Sequence, residues 1–187
     1  MNIEPQEIPE VLLITPKKFG DDRGFFSELY RAAPLAEHDV PEMVQHNLSR
    51  STKGVLRGLH YQLSDAPLGK LVRCLAGSIF DVAVDIRKGS PSYGRWVGIE
   101  LDSHSLRALY VPEGFAHGFC ATSESADVLY MQTGYYSPEH ERSIRWDDPS
   151  LNVNWPVATP TLSGKDADAP RLADAENDFV YSQPQST

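Results

Sequence analysis

The chain is poor in cysteine, has fewer bases than acids, and lacks any long apolar run. Its 187 residues include two cysteines, Cys74 and Cys120. Their spacing excludes a zinc motif. Both lie in apolar stretches and read as buried free thiols in a reducing compartment. Lys and Arg number 17 against 26 Asp and Glu, for a formal net charge of -9. That balance excludes the basic field a nucleic-acid partner requires. No apolar run approaches the ~20 residues that cross a bilayer, so no membrane partner is expected. The segment Met1–Glu10 is acidic and contains two prolines. It has neither the basic start nor the apolar run of a signal peptide, and the expectation is a cytoplasmic protein. Repeats and internal linkers are missing too. Only 32–39 looks helical in the first part of the chain.

Strand signals fill the rest. Short apolar-rich segments at 11–14, 24–30, 44–49, 55–62, 71–76, 79–86, 96–101, 106–111, 117–121 and 128–132 are mostly separated by Gly, Pro, Asp or Ser. Phe80, Val82, Val84 and Ile86 alternate with Ile79, Asp81, Ala83 and Asp85, the pattern of a strand with one core face. With a hydrophobic fraction of 41%, the chain should fold as one domain with a sizeable core. Many short strands at close spacing point to an all-β sandwich or barrel. The core should run from about Val11 to Trp155. Residues 156–170 then form a loop-like segment packing back over it, and 174–187 a polar, loosely held tail.

The segment Gly54-Val-Leu-Arg-Gly-Leu-His-Tyr-Gln62 places Arg57 and His60 among core-like neighbours. A buried cation or imidazole is costly unless something binds it. Arginine suits phosphate, and histidine transfers protons near neutral pH. Residues three apart on a regular strand face opposite ways. Arg57 and His60 can share one pocket only through a distortion, which Gly58 makes cheap. Taken alone, His60 is equally readable as a satisfied core histidine, and Arg57 as a rim residue.

Other groups carry weaker signals. Arg23, after two aspartates and before Gly24, suits either a phosphate grip or a hairpin turn with a surface ion pair; Glu28 follows it as an acceptor for a sugar or base. Gln45 and Asn47 alternate onto one face, as for a nucleobase or sugar hydroxyl, or simply as a wet strand edge. Lys70 opens a strand, where a lysine snorkels to water unless a closed pocket uses its charge. His117 follows the Pro112–Gly114 turn. Tyr130 sits mid-strand, either as core with a bonded hydroxyl or as a general acid. Lys165-Asp166 is a charge pair explained by function or by solvent.

Together these groups form a specific pattern. Asp22-Arg-Gly-Phe25, Gln45…Asn47…Ser49, Gly54–Gln62, Lys70-Leu-Val, Asp81-Val-Ala-Val-Asp85, Gly114-Phe-Ala-His-Gly-Phe119, Tyr130…Tyr136 and Ser163-Gly-Lys-Asp166 stand in order across about 11–170. They resemble the dTDP-4-dehydrorhamnose 3,5-epimerase family. The resemblance implies a cupin-like antiparallel β-barrel or jelly roll with short helices and a C-terminal covering segment, usually a homodimer. It implies cofactor-free and metal-free inversion of C3 and C5 of dTDP-4-keto-6-deoxy-D-glucose, giving dTDP-4-keto-L-rhamnose. On that basis His60 is the base, Asp166 its carboxylate partner, Tyr130 the opposing acid, and Lys70 the charge beside the C4 oxygen. Arg23, Glu28, Gln45, Asn47, Arg57, His117, Glu141 and Lys165 would contact the nucleotide-sugar. The residue types suit the reaction. A proton next to a ketone is weakly acidic, so an enolate must be stabilised, and inversion needs an acid on the face opposite the base.

Two positions depart from the family pattern: Gly164 stands where Glu is frequent, and Leu68 where Gln is typical. Rival readings are a C3-only epimerase or ketoisomerase of a related sugar, a metal-dependent cupin oxygenase, and a non-catalytic sugar-nucleotide module. The absence of a His-x-His pair at His60 speaks against the second, and the acid–base set against the third. Asp81 is the alternative partner for His60, or an orienting group for His117.

Overall fold

The computed structural model describes residues 1–182. Along the chain run β1 (Asn2–Pro5), β2 (Leu12–Thr15), β3 (Lys18–Asp21), β4 (Gly24–Ser27), α1 (Ala32–Ala36), β5 (Gln45–Thr52), β6 (Leu56–Gln62), β7 (Lys70–Ala76) and β8 (Ser78–Asp85). Then come β9 (Trp96–Asp102), β10 (Ala108–Val111), β11 (Phe115–Ala121), β12 (Ser125–Gln132), β13 (Glu141–Ser143) and α2 (Gly164–Ala167). A six-stranded sheet has the order β1-β2-β10-β7-β12-β5, a five-stranded sheet the order β13-β6-β11-β8-β9, and β3-β4 form a separate hairpin. Neighbours within the two large sheets pair antiparallel. This is the all-β architecture predicted from the strand spacing, in the cupin-like form that the family resemblance implies.

Three apolar layers hold the sheets. Between them, Val72, Leu109 and Val128 of one sheet meet Ile79, Ala83 and Phe119 of the other. The outer face of the six-stranded sheet packs Leu71, Tyr110 and Met131 under Leu35 and Met43. The outer face of the five-stranded sheet packs Val82, Val84 and Leu59 under Leu151, Leu172 and Trp155. Strand β8 therefore has two buried faces, not the single core face its alternation predicts. The reason is the C-terminal segment, which covers the outer side.

Pairing also starts earlier than Val11, because β1 adds an edge to the six-stranded sheet. The stretch from Asp174 to Ser182 departs from the expected loose tail. Asn177 is buried, Tyr61 donates to the Glu176 carbonyl at 2.5 Å, Asp178 accepts from Ser64, and Val180 bridges to Lys88. These anchors lie far away in sequence, so local polarity hides them. Residues 183–187 of the expected tail lie outside the described residues.

Gly58 sets the geometry of the site. Its φ is +118°, and a Cβ there would stand 2.6 Å from both the Gly118 Cα and the His117 carbonyl oxygen. No side chain fits, and only glycine adopts that backbone freely. The register of β6 against β11 shifts at this point. Arg57 and His60, of opposite strand parity, consequently line one cavity.

Candidate active site

A cavity of about 530 Å³ opens between the sheets, lined by Arg57, His60, Lys70, His117, Tyr130 and Asp166 among others. His60 enters from β6, and its Nε2 lies 2.5 Å from Asp166 Oδ1. Asp166 comes from a segment 106 residues downstream, held in place by local chemistry. Thr161 N–H donates to the Gly54 carbonyl and Leu56 N–H to the Thr161 carbonyl, stitching this segment to the start of β6. Ser163 then caps α2: its Oγ accepts from Asp166 N–H at 3.1 Å and donates to Asp166 Oδ2 at 2.9 Å. Burial raises the Asp166 pKa, but the bonds from His60 and Ser163 outweigh it, and the net shift is downward. A charged Asp166 accepting from Nε2–H leaves Nδ1 of His60 with a free lone pair.

The second histidine is placed differently. His117 Nε2 meets Asp81 Oδ1 at 2.8 Å across β11 and β8, and both side chains are buried. Burial lowers the His117 pKa, and Asp81 only partly opposes this. The neutral imidazole is thus favoured. The other oxygen of Asp81 has no partner among the described residues.

Tyr130 projects from β12, in the opposite sheet to His60. Its hydroxyl lies 2.9 Å from Ser49 Oγ, and its ring packs on His117 and Phe119. Burial pushes the phenol up to about 12, with the Ser49 bond pulling the other way, so it is protonated at neutral pH. Lys70 begins β7, and burial draws its ammonium down to about 8. It is mostly charged at pH 7, and losing its proton is unusually easy.

Polar groups ring the mouth. Arg57 donates through Nε to Ser51 Oγ at 3.0 Å. Asn47 Nδ2 donates to Gln132 Oε1 at 3.4 Å. Glu141 pairs with Lys165 and accepts from the Tyr136 hydroxyl at 2.8 Å. Burial would raise the Glu141 pKa, yet these two bonds bring it below the usual value.

Of the residues expected from sequence, His60, Tyr130, Asp166, Lys70, Asn47, Arg57, His117 and Glu141 line the cavity. Gln45 and Lys165 stand one contact behind it, through Asn47 and Glu141. Arg23 and Glu28 do not reach it. Arg23 is exposed and bonded to Asp21, and Glu28 pairs with Arg31. Both belong to the β3–β4 region, which projects from the body of the fold. Ser49, Tyr136 and Ser163, which stand in the sequence pattern without an assigned role, also line the cavity, as does Gln132. Ser49 continues the alternation of Gln45 and Asn47, and Ser163 precedes Asp166 by a capping interval, so both left a signal. Among the described residues, no three His, Cys, Asp or Glu side chains converge to hold a metal ion. Nor is any described helix long and apolar enough to cross a membrane.

Comparison with known proteins points the same way. The family model for dTDP-4-dehydrorhamnose 3,5-epimerase matches residues 5–174. The enzyme of that name from Shigella flexneri is 52% identical over 178 residues, covering 94% of this chain and 98% of its own. A dTDP-4-dehydrorhamnose 3-epimerase from Streptomyces niveus is 44% identical, covering 95% of this chain and 86% of its own. Among solved structures, the dTDP-6-deoxy-D-glucose-3,5-epimerase of Legionella pneumophila Philadelphia 1, in complex with dTDP-4-keto-L-rhamnose, has a TM-score of 0.89 and 50% identity, covering 92% of this chain and 93% of its own. On the evidence of the match and of the shared fold, the chain belongs to the dTDP-4-dehydrorhamnose 3,5-epimerase family.

Proposed function

We propose that the protein inverts C3 and C5 of dTDP-4-keto-6-deoxy-D-glucose, producing dTDP-4-keto-L-rhamnose. The observation that carries this reading is one cavity holding an oriented imidazole on one sheet and a protonated phenol on the other, with a lysine on the strand next to the phenol's. His60 Nδ1 takes the proton from carbon, and Asp166 stabilises the imidazolium that forms. The electron pair moves to the C4 oxygen, where Lys70 offsets the developing charge. Tyr130 returns a proton from the other face, which is what inversion requires. Arg57 is the anion grip, a fork suited to the pyrophosphate.

Incubation with dTDP-4-keto-6-deoxy-D-glucose in heavy water, followed by NMR, tests the proposal. Deuterium at C3 and C5 with inversion at both is the expected result; ligand binding without exchange sinks it. A second reading, inversion at C3 alone, draws on the Streptomyces niveus relative, which is named for that reaction. Label confined to C3 would select it.

The protein is further proposed to act as a homodimer. Phe19 and Phe26, cross-strand partners on the β3–β4 hairpin, and Phe25 on its other face are 54%, 69% and 59% exposed, more large apolar surface than a hairpin facing only water needs. Docking of this hairpin on a second copy would carry Arg23 and Glu28 toward that copy's cavity. Light scattering at the mass of two chains is expected, and a monomer at micromolar concentration would refute it. Two buried free thiols, Cys74 and Cys120, fit the cytoplasm, where they stay reduced.

A further inference from the structure

Strand β5 carries four polar side chains in alternation, Gln45, Asn47, Ser49 and Ser51, and each holds a different neighbour. Gln45 accepts from Tyr136 N–H, Asn47 donates to Gln132, and Ser51 accepts from Arg57. Ser49 meets Tyr130. In the register of β5 and β12, Asn47 lies opposite Tyr130 and Ser49 opposite Val128. The Ser49–Tyr130 contact is therefore a diagonal one, within reach of a tyrosine. It is the only hydrogen bond of the Tyr130 phenol among the described residues.

A pair of hydroxyls can be wired in two ways. When Tyr130 donates, its proton is spent on the cavity wall. When Ser49 donates, the phenolic proton is free to point into the cavity, and the phenolate left after transfer retains a charge-assisted bond. We propose that Ser49 is the positioning residue for Tyr130: it donates to the phenol oxygen, aims the phenolic proton at the enolate carbon, and holds the phenolate that remains. This rests on the epimerase reading above. In the step, the electron pair of the enolate double bond takes the phenolic proton. A C–H bond forms as the O–H bond breaks, the C4 carbonyl is restored, and the negative charge passes to the Tyr130 oxygen. Water then returns a proton to it, and the hydroxide formed takes up the proton that His60 removed from carbon, so both groups are reset.

The test is Ser49→Ala assayed with dTDP-4-keto-6-deoxy-D-glucose in heavy water. Two rates are read by NMR in one sample: deuterium entering with retained configuration, which needs only the base, and inversion, which needs the acid. A hydrogen bond to a charged group is worth about tenfold to a hundredfold. Inversion should fall by about that factor while exchange with retention and KM stay within about twofold. Ser49→Thr, which keeps a hydroxyl, should restore the wild-type ratio. Partial unfolding lowers both rates together and leaves their ratio alone. An unchanged ratio in an active Ser49→Ala enzyme, or no rescue by Ser49→Thr, overturns the role of Ser49 only. Wild-type protein that exchanges no deuterium overturns the epimerase reading itself, and the role of Ser49 with it.

Discussion

His60–Asp166 and His117–Asp81 are two imidazole–carboxylate pairs of similar length, 2.5 and 2.8 Å, in two different settings. His60 keeps 26% of its side chain exposed toward the cavity, whereas His117 keeps 4%. Asp166 satisfies both oxygens, one on His60 and one on Ser163. Asp81 satisfies one, and its other oxygen is buried without a partner among the described residues. The first pair joins β6 to a segment folded back from the C-terminal side, and the second joins neighbouring strands of one sheet. An imidazole works as a base when its second nitrogen meets substrate and its carboxylate is fully supported. The same two residue types, sealed between strands, instead tie β11 to β8.

Five experiments bear on this contrast. The largest effect is expected from His60→Ala. Removing a general base lowers rate by about 10²–10⁴-fold, and deuterium exchange should fall by that factor at both carbons while stability falls less than on loss of His117, because Asp166 keeps its Ser163 bond. Substantial exchange in this variant would shift the base elsewhere. His117→Ala should behave in the opposite manner. It leaves the Asp81 carboxylate buried and wholly unpaired, at a cost of about 3–5 kcal/mol, read as a lower urea midpoint.

The buried histidine also has a signature in pH. The folded-state pKa of His117 lies below its unfolded value, so below about pH 6.5 the unfolded chain binds a proton that the fold refuses. Stability attributable to this group therefore declines as pH falls through that range, by up to about 1.4 kcal/mol per pH unit. Asp166 acts lower on the scale. Its folded pKa is depressed, so its contribution is present above about pH 3.9 and is lost as pH falls further. A denaturation series from pH 7 to 4 that stays flat between 6.5 and 5 would contradict the assignment to His117.

Lys70 tests the cavity in the other direction. With its ammonium drawn down to about 8, kcat/KM should decline as pH rises above that value, approaching tenfold per unit. A profile level to pH 10 would remove Lys70 from charge stabilisation. The smallest effect concerns the loop that delivers Asp166. Gly164 has no atom within 4 Å of a built Cβ and no left-handed backbone. Gly164→Ala should raise stability by about 0.4–1 kcal/mol, measured by calorimetry, and tighten the His60–Asp166 pair without altering the product.

Period-two alternation and turn residues were enough to predict most of the strands, and the one early helix appeared where expected. The short elements β1, β3, β13 and α2 escaped, since three or four residues leave no period to read and depend on partners for their existence. The site was legible in its parts. Arg57 and His60 announced themselves as costly groups in a core-like segment, and Gly58 as the place where their parity conflict is resolved. Gln45 and Asn47 exposed the polar face of β5, although the role of Ser49 in that row became visible only once β12 lay beside it.

What residue chemistry alone offers here is the menu: a candidate base, a candidate acid, a cation, a fork for phosphate, and a glycine where a strand distortion is cheap. Which carboxylate meets which histidine was beyond it. His60 and His117 both sit in β-strands among apolar neighbours, and Asp81 and Asp166 were both available as partners. The choice followed from a C-terminal segment stitched onto β6 through Thr161 and capped at Ser163. Local propensity acts over a few residues, while a contact spanning 106 residues exists only after two sheets and a covering segment have packed together.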